Sequence, residues 1–369
     1  MRVALVHDHL VQDGGAERVL REFQALFPGS PTFTLVYDAK RLGREFVGAD
    51  IRTSFLQKIP FATKKCQWLL PLMPAATESY DLSDFDVVLS STSAFAKGVI
   101  TKPGTVHVCY CHTPTRYLWS DTHSYVAELK ANPLVKSLLP PLHSHLRVWD
   151  RLAAGRVDHF IANSETVRGR IRKYYERDSE VIYPPVETEK FSVGTPEDWF
   201  LAGGRLVSYK RFDLIIRAFN RLGLKLRIFG DGPLYRDLRK VAKPNIEFVG
   251  RVNDAEKADL YRKSLAFLNP QEEDFGITTV EAMASGRPVI AYRKGGATET
   301  VIEGVTGKFF DHQEWEDLAS VIIGFDPLAF DPARIRTHAE QFGSEVFRTR
   351  IAQAVRDAYR NSQNHEKNK

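Results

Sequence analysis

The feature that most constrains this chain is an alternation: short, mostly apolar runs, many rich in β-branched residues, each followed by a longer stretch with helical spacing. In the first half such runs fall at residues 3–6, 32–36, 87–91, 106–110 and 159–162. A strand with no polar face is buried on both sides, which places it in a parallel sheet covered by helices. Between the first two runs, residues 16–27 put Val19, Leu20, Phe23, Leu26 and Phe27 on one helical face. The alternation stops at Tyr183-Pro184-Pro185-Val186 and a polar stretch reaching Asp198. It restarts with runs at 200–202, 224–229, 246–249, 266–268 and 289–291. Paired prolines before a charged, aperiodic stretch read as a linker. The fold class is therefore α/β, with two doubly wound, Rossmann-like domains, and 369 residues are too many for one ordinary core.

Composition narrows the setting. With 43% hydrophobic and 26% charged residues the chain is globular, and only the polar tail at 361–369 reads as frayed. The opening apolar run is broken by His7-Asp8-His9 too early for an export signal. No run reaches the ~18 apolar residues of a membrane span. The expectation is a cytoplasmic protein, soluble or peripheral on the inner face of the plasma membrane. Three cysteines, Cys66, Cys109 and Cys111, fit a reducing compartment. Cys109 and Cys111 beside His112 lack a second ligand pair, so packing rather than metal is expected. A net charge of +5 suits an anionic small ligand or an anionic bilayer and is too mild to argue for nucleic acid.

Ligands of doubly wound sheets sit beyond the carboxyl ends of the strands. The run at 200–202 leads into Gly203-Gly204-Arg205, with Lys210 five residues on. A flexible backbone with two cations suits a diphosphate, and a solvated loop is the plain alternative. The run at 266–268 leads into Glu272-Glu273-Asp274-Phe275-Gly276-Ile277-Thr278, with a helix expected to begin near Thr278. Gly276 lets backbone amides approach a ligand. Glu273 ahead of the helix and Glu281 in its first turn can face one pocket and accept hydrogen bonds from vicinal hydroxyls. Complementing the helix dipole is the other reading of such acids.

The two glutamates eight apart around Phe275-Gly276, followed by Ala282 and then Ser285-Gly286-Arg287-Pro288-Val289-Ile290-Ala291, resemble the signature of glycosyltransferase family 4. Gly204-Arg205 with Lys210, Gly230-Asp231-Gly232-Pro233, Phe248-Val249-Gly250, and Gly295-Gly296 with Glu299 match in the same order and span nearly all of the second half. The resemblance implies the GT-B fold, two Rossmann-like domains whose parallel sheets face across a cleft. Residues 1–185 would form the acceptor side, joined by a C-terminal helix at 342–360, and residues 186–341 would hold the donor. Arg205 and Lys210 would bind and stabilise the donor diphosphate, with Gly204 beside them. Glu281 would hold the ribose. Glu273, with Phe275, Gly276, Ile277 and Thr278, would hold the transferred sugar, and Arg251 and Val252 after Gly250 would lie against the base.

In the first half, Gly14-Gly15 before the first helix would offer bare amides to an anion or sugar. The third glycine of a dinucleotide fingerprint is absent. His7, Asp8 and His9, adjacent at a strand end, point in different directions, which argues against a metal. His112-Thr113-Pro114 with Arg116-Tyr117-Leu118-Trp119 resembles the branch containing bacterial O-antigen mannosyltransferases, in which His112 would lie beside the donor sugar. The catalytic set is then His112, Arg205, Lys210 and Glu273. The expected reaction is retaining transfer of a hexose, mannose from GDP-mannose first and a UDP- or dTDP-sugar second. The expected acceptor is a glycan or lipid-linked oligosaccharide in polysaccharide or lipopolysaccharide synthesis, and no metal or cofactor is needed. Phe55, Lys58, Phe61, Lys64, Lys65, Trp68 and Leu69 mix cations with large apolar groups, either as an anionic-membrane or lipid-acceptor patch or as ordinary packing with exposed lysines. Asp84-Phe85-Asp86 precedes a strand and reads as a turn rather than a metal-binding Asp-x-Asp. Asp38 stands where an NAD-dependent oxidoreductase keeps its ribose acid, but the glycine fingerprint that should accompany it is missing.

Overall fold

The computed structural model describes residues 1–42, 46–122 and 132–367, and the chain divides into two compact units, Met1–Tyr183 with Phe347–Lys369, and Pro184–Val346. Unit 1 holds a seven-stranded sheet of β1 (Val3–His7), β2 (Thr32–Thr34), β3 (Ile51–Thr53), β4 (Val87–Thr92), β5 (Val106–Cys111), β6 (His159–Ala162) and β7 (Glu180–Val181). Its spatial order is β3-β2-β1-β4-β5-β6-β7, parallel throughout. Every residue of β1, β4 and β5 is buried, polar Ser90, Ser91, Thr92 and His107 included, as expected of strands covered on both faces.

Helix Gly15–Leu26 buries Val19, Leu20 and Phe23 against this sheet. Helix Ser344–Lys367 sets Phe347, Ile351 and Val355, spaced four apart, into the same core. The Phe347 ring lies 6.1 Å from Phe23 and 5.6 Å from Tyr110. Residues 368–369 lie outside the described residues, and over residues 361–367 the expectation of a frayed tail fails, because they continue the helix. They contain no glycine or proline and carry Gln, Glu and Lys, all good helix formers. Asp38 also differs from the strand-ending acid considered above. β2 stops at Thr34, and the Asp38 carboxylate accepts from the amides of Lys40 and Arg41 (3.2 and 3.3 Å) as a helix cap.

Unit 2 repeats the scheme with β8 (Phe200–Gly203), β9 (Leu226–Phe229), β10 (Ile246–Gly250), β11 (Phe267–Asn269), β12 (Val289–Tyr292) and β13 (Gly307–Phe310), in the order β10-β9-β8-β11-β12-β13. All of its pairs are parallel. In each sheet the chain starts centrally, grows to one edge and returns to the other side. The loops part at that reversal and leave a crevice at the carboxyl ends. The reversal falls between β1 and β4 in unit 1 and between β8 and β11 in unit 2. A cavity of about 680 Å³ lined by Lys102, Val106, Asp158, His159 and Asn361 sits at the amino ends of β5 and β6, the wrong end for such a ligand. No described helix is long and apolar enough to cross a membrane.

Candidate active site

At the reversal in unit 2 the loops after β8 and β11 meet through one ion pair. The Lys210 ammonium lies 2.7 Å from Oε1 of Glu273, with both side chains more than four-fifths shielded from water. Burial works to lower the Lys210 pKa, but the charge and hydrogen bond of Glu273 outweigh it and hold the ammonium above its usual range. Arg205 is exposed, and among the described residues its guanidinium has no protein partner. Gly204, at φ +130°, turns the chain between β8 and these cations.

The β11 side is built on glycines. Gly276, at φ +92°, is the N-cap of helix Ile277–Ala284 and has no side chain to satisfy the first amides. A Cβ on Gly295 would stand 2.3 Å from the Glu273 carbonyl, and the Gly296 amide donates to that same carbonyl at 2.8 Å. The paired glycines therefore hold the backbone that aims Glu273 and Phe275. Replacing Gly295 by Ala should cut turnover at least tenfold by displacing this loop. Gly304→Ala has a similar positive φ but open space around its Cβ. It should cost about 1 kcal/mol of stability and leave turnover unchanged. Equal activity losses in the two variants would show that the glycine-carbonyl contact does not matter.

Glu281 requires a correction. The helix starts at Ile277, so Glu281 is its fifth residue and lies in the second turn, with no acid in the first. It is only 2% exposed, and its oxygens accept from Lys257 (2.9 Å) and the Tyr261 hydroxyl (3.2 Å). Arg251 and Val252 follow β10, where Arg251 is largely exposed and paired with Asp231 at 3.1 Å.

Apart from Thr278, already placed with the sugar, the residues of two features were not legible in the sequence. Asn269, the last residue of β11, is buried with its Oδ1 unpartnered, and the buried Oγ1 atoms of Thr278 and Thr279 at the helix start are unpartnered too. Buried polar atoms without partners are rare, and three at one reversal point call for a polar ligand or water. The polar residue ending an otherwise apolar run was the available signal. Arg211 donates to Gln313 (2.8 Å), and Gln313 donates to the Pro270 carbonyl (2.8 Å), bracing the β8 loop against the β11 loop. Partners so far apart in sequence leave no local pattern.

At the reversal in unit 1 the residues separate by role. The Asp8 carboxylate accepts four backbone amides, Ser93, Ala94, Phe95 and Ala96, at 2.6 to 2.9 Å. Burial works to raise its pKa, but the His7 ring and these amides bring it below the usual carboxylate range. Nδ1 of His7 meets Ser91 Oγ at 3.1 Å, Ser91 Oγ meets Nε2 of His112 at 2.8 Å, and Nε2 of His7 faces Glu17 at 3.8 Å. The Ser91 hydroxyl thus joins one nitrogen of each ring, and its single hydrogen can serve only one of them. This leaves Nδ1 of His112 as the ring nitrogen that Ser91 does not engage. Burial, with His7 nearby, pushes the His112 pKa down to about 4. Gly14 is the extended N-cap of helix Gly15–Leu26, with a Cβ position 3.1 Å from Oε2 of Glu17, and Gly15 is exposed. Cys109 and Cys111 face Ala154, Phe160 and Ile171 in an apolar cluster.

His107 carries the same acid sensitivity more deeply. It is fully buried, and burial followed by the Arg156 charge pushes its pKa down to about 3 from 6.5. Below pH 6.5 the unfolded chain binds a proton that the folded ring refuses, so stability falls as pH drops from about 6.5 toward 3. In urea titrations across that window, His107→Asn should flatten the loss relative to wild type. An identical slope in the two proteins would remove His107 as the cause.

Two family models match the chain: "Glycosyltransferase Family 4" over residues 13–190 and "Glycosyl transferases group 1" over residues 186–325. An uncharacterized glycosyltransferase of Methanocaldococcus jannaschii is 31% identical over 182 residues, 48% of this chain and 52% of the relative. A GDP-mannose-dependent alpha-mannosyltransferase of Corynebacterium glutamicum is 32% identical over 149 residues, 38% of this chain and 35% of the relative. The chain thus spans about half the length, or less, of these curated relatives. A crystal structure of Anabaena HepE in complex with UDP and glucose superposes with a TM-score of 0.71 at 20% identity, covering 96% of this chain and 98% of that one, a likeness of fold. With two reversal-point parallel sheets and both halves matched, the chain belongs to the family 4 glycosyltransferases, on the GT-B fold.

Proposed function

We propose that the protein is a retaining glycosyltransferase that moves a hexose, mannose from GDP-mannose first among the candidates, onto a glycan or lipid-linked acceptor without need of a metal. The observation that carries this reading is the Lys210–Glu273 pair at the reversal in unit 2, beside Arg205 and three unpartnered buried polar atoms. A cation and a carboxylate side by side suit a nucleotide-sugar, with the diphosphate drawn to Lys210 and Arg205 and the sugar hydroxyls to Glu273. The mannose assignment is supported by the His112-Thr113-Pro114 segment and by the GDP-mannose-dependent relative. UDP stays the second candidate because of the complex formed by the Anabaena protein.

In this reading the bond between the anomeric carbon and the β-phosphate oxygen breaks while the acceptor oxygen bonds to the same face of that carbon. The acceptor proton passes to the departing phosphate. Arg205, Lys210 and the uncapped amides after Gly276 stabilise the charge that develops on the diphosphate. His112, neutral at pH 7, offers Nδ1 to a sugar hydroxyl. Thermal unfolding in GDP, UDP, dTDP and ADP tests the donor half directly. A matching diphosphate at 100 times its Kd should stabilise by about 2.7 kcal/mol, with GDP giving the largest shift and chelator changing nothing. A larger shift with UDP would overturn the mannose assignment, and no shift with any of the four would overturn the site.

A further inference from the structure

Sugar transfer leaves one segment of unit 1 unused. Residues 55–72 form two 3-10 turns, Phe55–Lys58 and Cys66–Leu72. Leu56 and Ala62 face inward and pack with Met73, Ala76 and Leu146. Outward stand Phe55, Phe61, Trp68 and Leu72, at 44, 70, 62 and 45% exposure. Single exposed apolar side chains are ordinary. Four large ones within 18 residues, two of the rings mostly in water, are not. Phe61 also sits at φ +62°. That left-handed conformation is unfavourable for a residue with a side chain, and here it holds a ring away from the core.

The charge is as one-sided as the apolar surface. From residue 51 to 77 the chain carries Arg52, Lys58, Lys64 and Lys65 and no acid. Arg52 is paired with Asp50 at 2.8 Å. Lys58, Lys64 and Lys65 are exposed and, among the described residues, make no ion pair or side-chain hydrogen bond. Protein interfaces are depleted in lysine. Aromatic rings among free lysines instead match the boundary of a bilayer, where rings sit at headgroup depth and long amines reach lipid phosphates.

We propose that this segment docks the protein on the surface of an anionic lipid bilayer, with Phe61 and Trp68 entering the headgroup layer and Lys58, Lys64 and Lys65 supplying the attraction. Each such lysine contributes about a fivefold gain in binding to an anionic surface. The test is co-sedimentation of the full chain with vesicles of phosphatidylcholine alone and of phosphatidylcholine mixed with phosphatidylglycerol, at low and high salt. Binding to the mixed vesicles, weakened by salt, is expected. Lys58→Glu/Lys64→Glu/Lys65→Glu should weaken it more than about tenfold, and Phe61→Ser/Trp68→Ser should do likewise with an unchanged unfolding midpoint. Equal pelleting with both vesicle types, no pelleting, or wild-type binding by either variant would overturn the proposal. The readout needs no turnover, so its failure leaves the sugar-transfer reading standing.

Discussion

Replacing Lys210 by Ala should lower turnover by about 10²- to 10³-fold, the size of effect seen when one donor to a developing anion is removed from a preorganised site. The geometry gives the reason. Lys210 is held 2.7 Å from Glu273, mostly out of water, so its charge is unscreened and fixed before the leaving diphosphate develops its own. Glu273→Gln should also slow the reaction, through loss of a hydroxyl acceptor and of the group that aims Lys210. Because the two side chains touch, the double variant should be less impaired than the product of the single losses, with a coupling of about 0.5–3 kcal/mol. Lys210→Arg, with a planar fork in place of a compact ammonium, should restore only part of the rate. The assay uses the nucleotide-sugar whose diphosphate gives the largest thermal shift. Near wild-type turnover by Lys210→Ala would remove the leaving-group role.

Much of this site can be read directly along the chain, for a physical reason. The groups at the unit 2 reversal come from two loops that each follow an apolar run, and a run without a polar face announces both a buried parallel strand and where it ends. Gly204, Arg205, Lys210, Glu273 and Gly276 therefore stand where a doubly wound sheet keeps its ligands. What escapes sequence reading is set by contacts distant in sequence or by a shift of one residue in a helix start. The first-turn expectation for Glu281 rests on a helix beginning near Thr278. The helix instead begins at Ile277, because Gly276 takes the left-handed N-cap, and Glu281 moves inward to Lys257 and Tyr261. The Arg211–Gln313–Pro270 brace joins residues up to 102 apart, and nothing local marks it.

The first half follows the same rule with a different balance. Its strands are legible from the apolar runs, yet the adjacent residues His7 and Asp8 take opposite jobs that only the three-dimensional arrangement reveals. Asp8 organises the backbone after β4, and His7 joins the chain of bonds through Ser91 to His112. Alternation along a strand explains the split, since neighbouring side chains leave on opposite faces. The sequence also carries no sign that Lys97 is buried. A lysine two residues after Phe95 reads as a surface charge, and its burial depends on an acid 53 positions away.

That buried pair carries the largest expected effect on stability. The Lys97 ammonium lies 2.5 Å from the Asp150 carboxylate, with both side chains 1% exposed. Asp150 also accepts from the Thr115 hydroxyl (2.9 Å) and the Trp119 indole (2.8 Å), while Lys97 donates to the Ala94 carbonyl and sits 5.3 Å from the centre of the Tyr175 ring. Lys97→Met fills a similar volume but leaves a carboxylate buried from solvent without its cation. Breaking a buried pair on one side costs about 3–5 kcal/mol, whereas replacing both partners with apolar groups is often neutral. Lys97→Met should therefore unfold unit 1 at markedly lower urea, and Lys97→Met/Asp150→Leu should recover part of the loss. The recovery is incomplete because Thr115 and Trp119 lose their acceptor. Since the chain holds two compact units, the measurement is amide hydrogen exchange in β4, β5 and helix Pro133–Gly155 rather than one global midpoint. The loss should extend to His112, because Asp150 anchors the segment that follows it at Thr115 and Trp119. If exchange in β4 and β5 is as slow in Lys97→Met as in wild type, the pair contributes nothing to holding the carboxyl edge of the sheet.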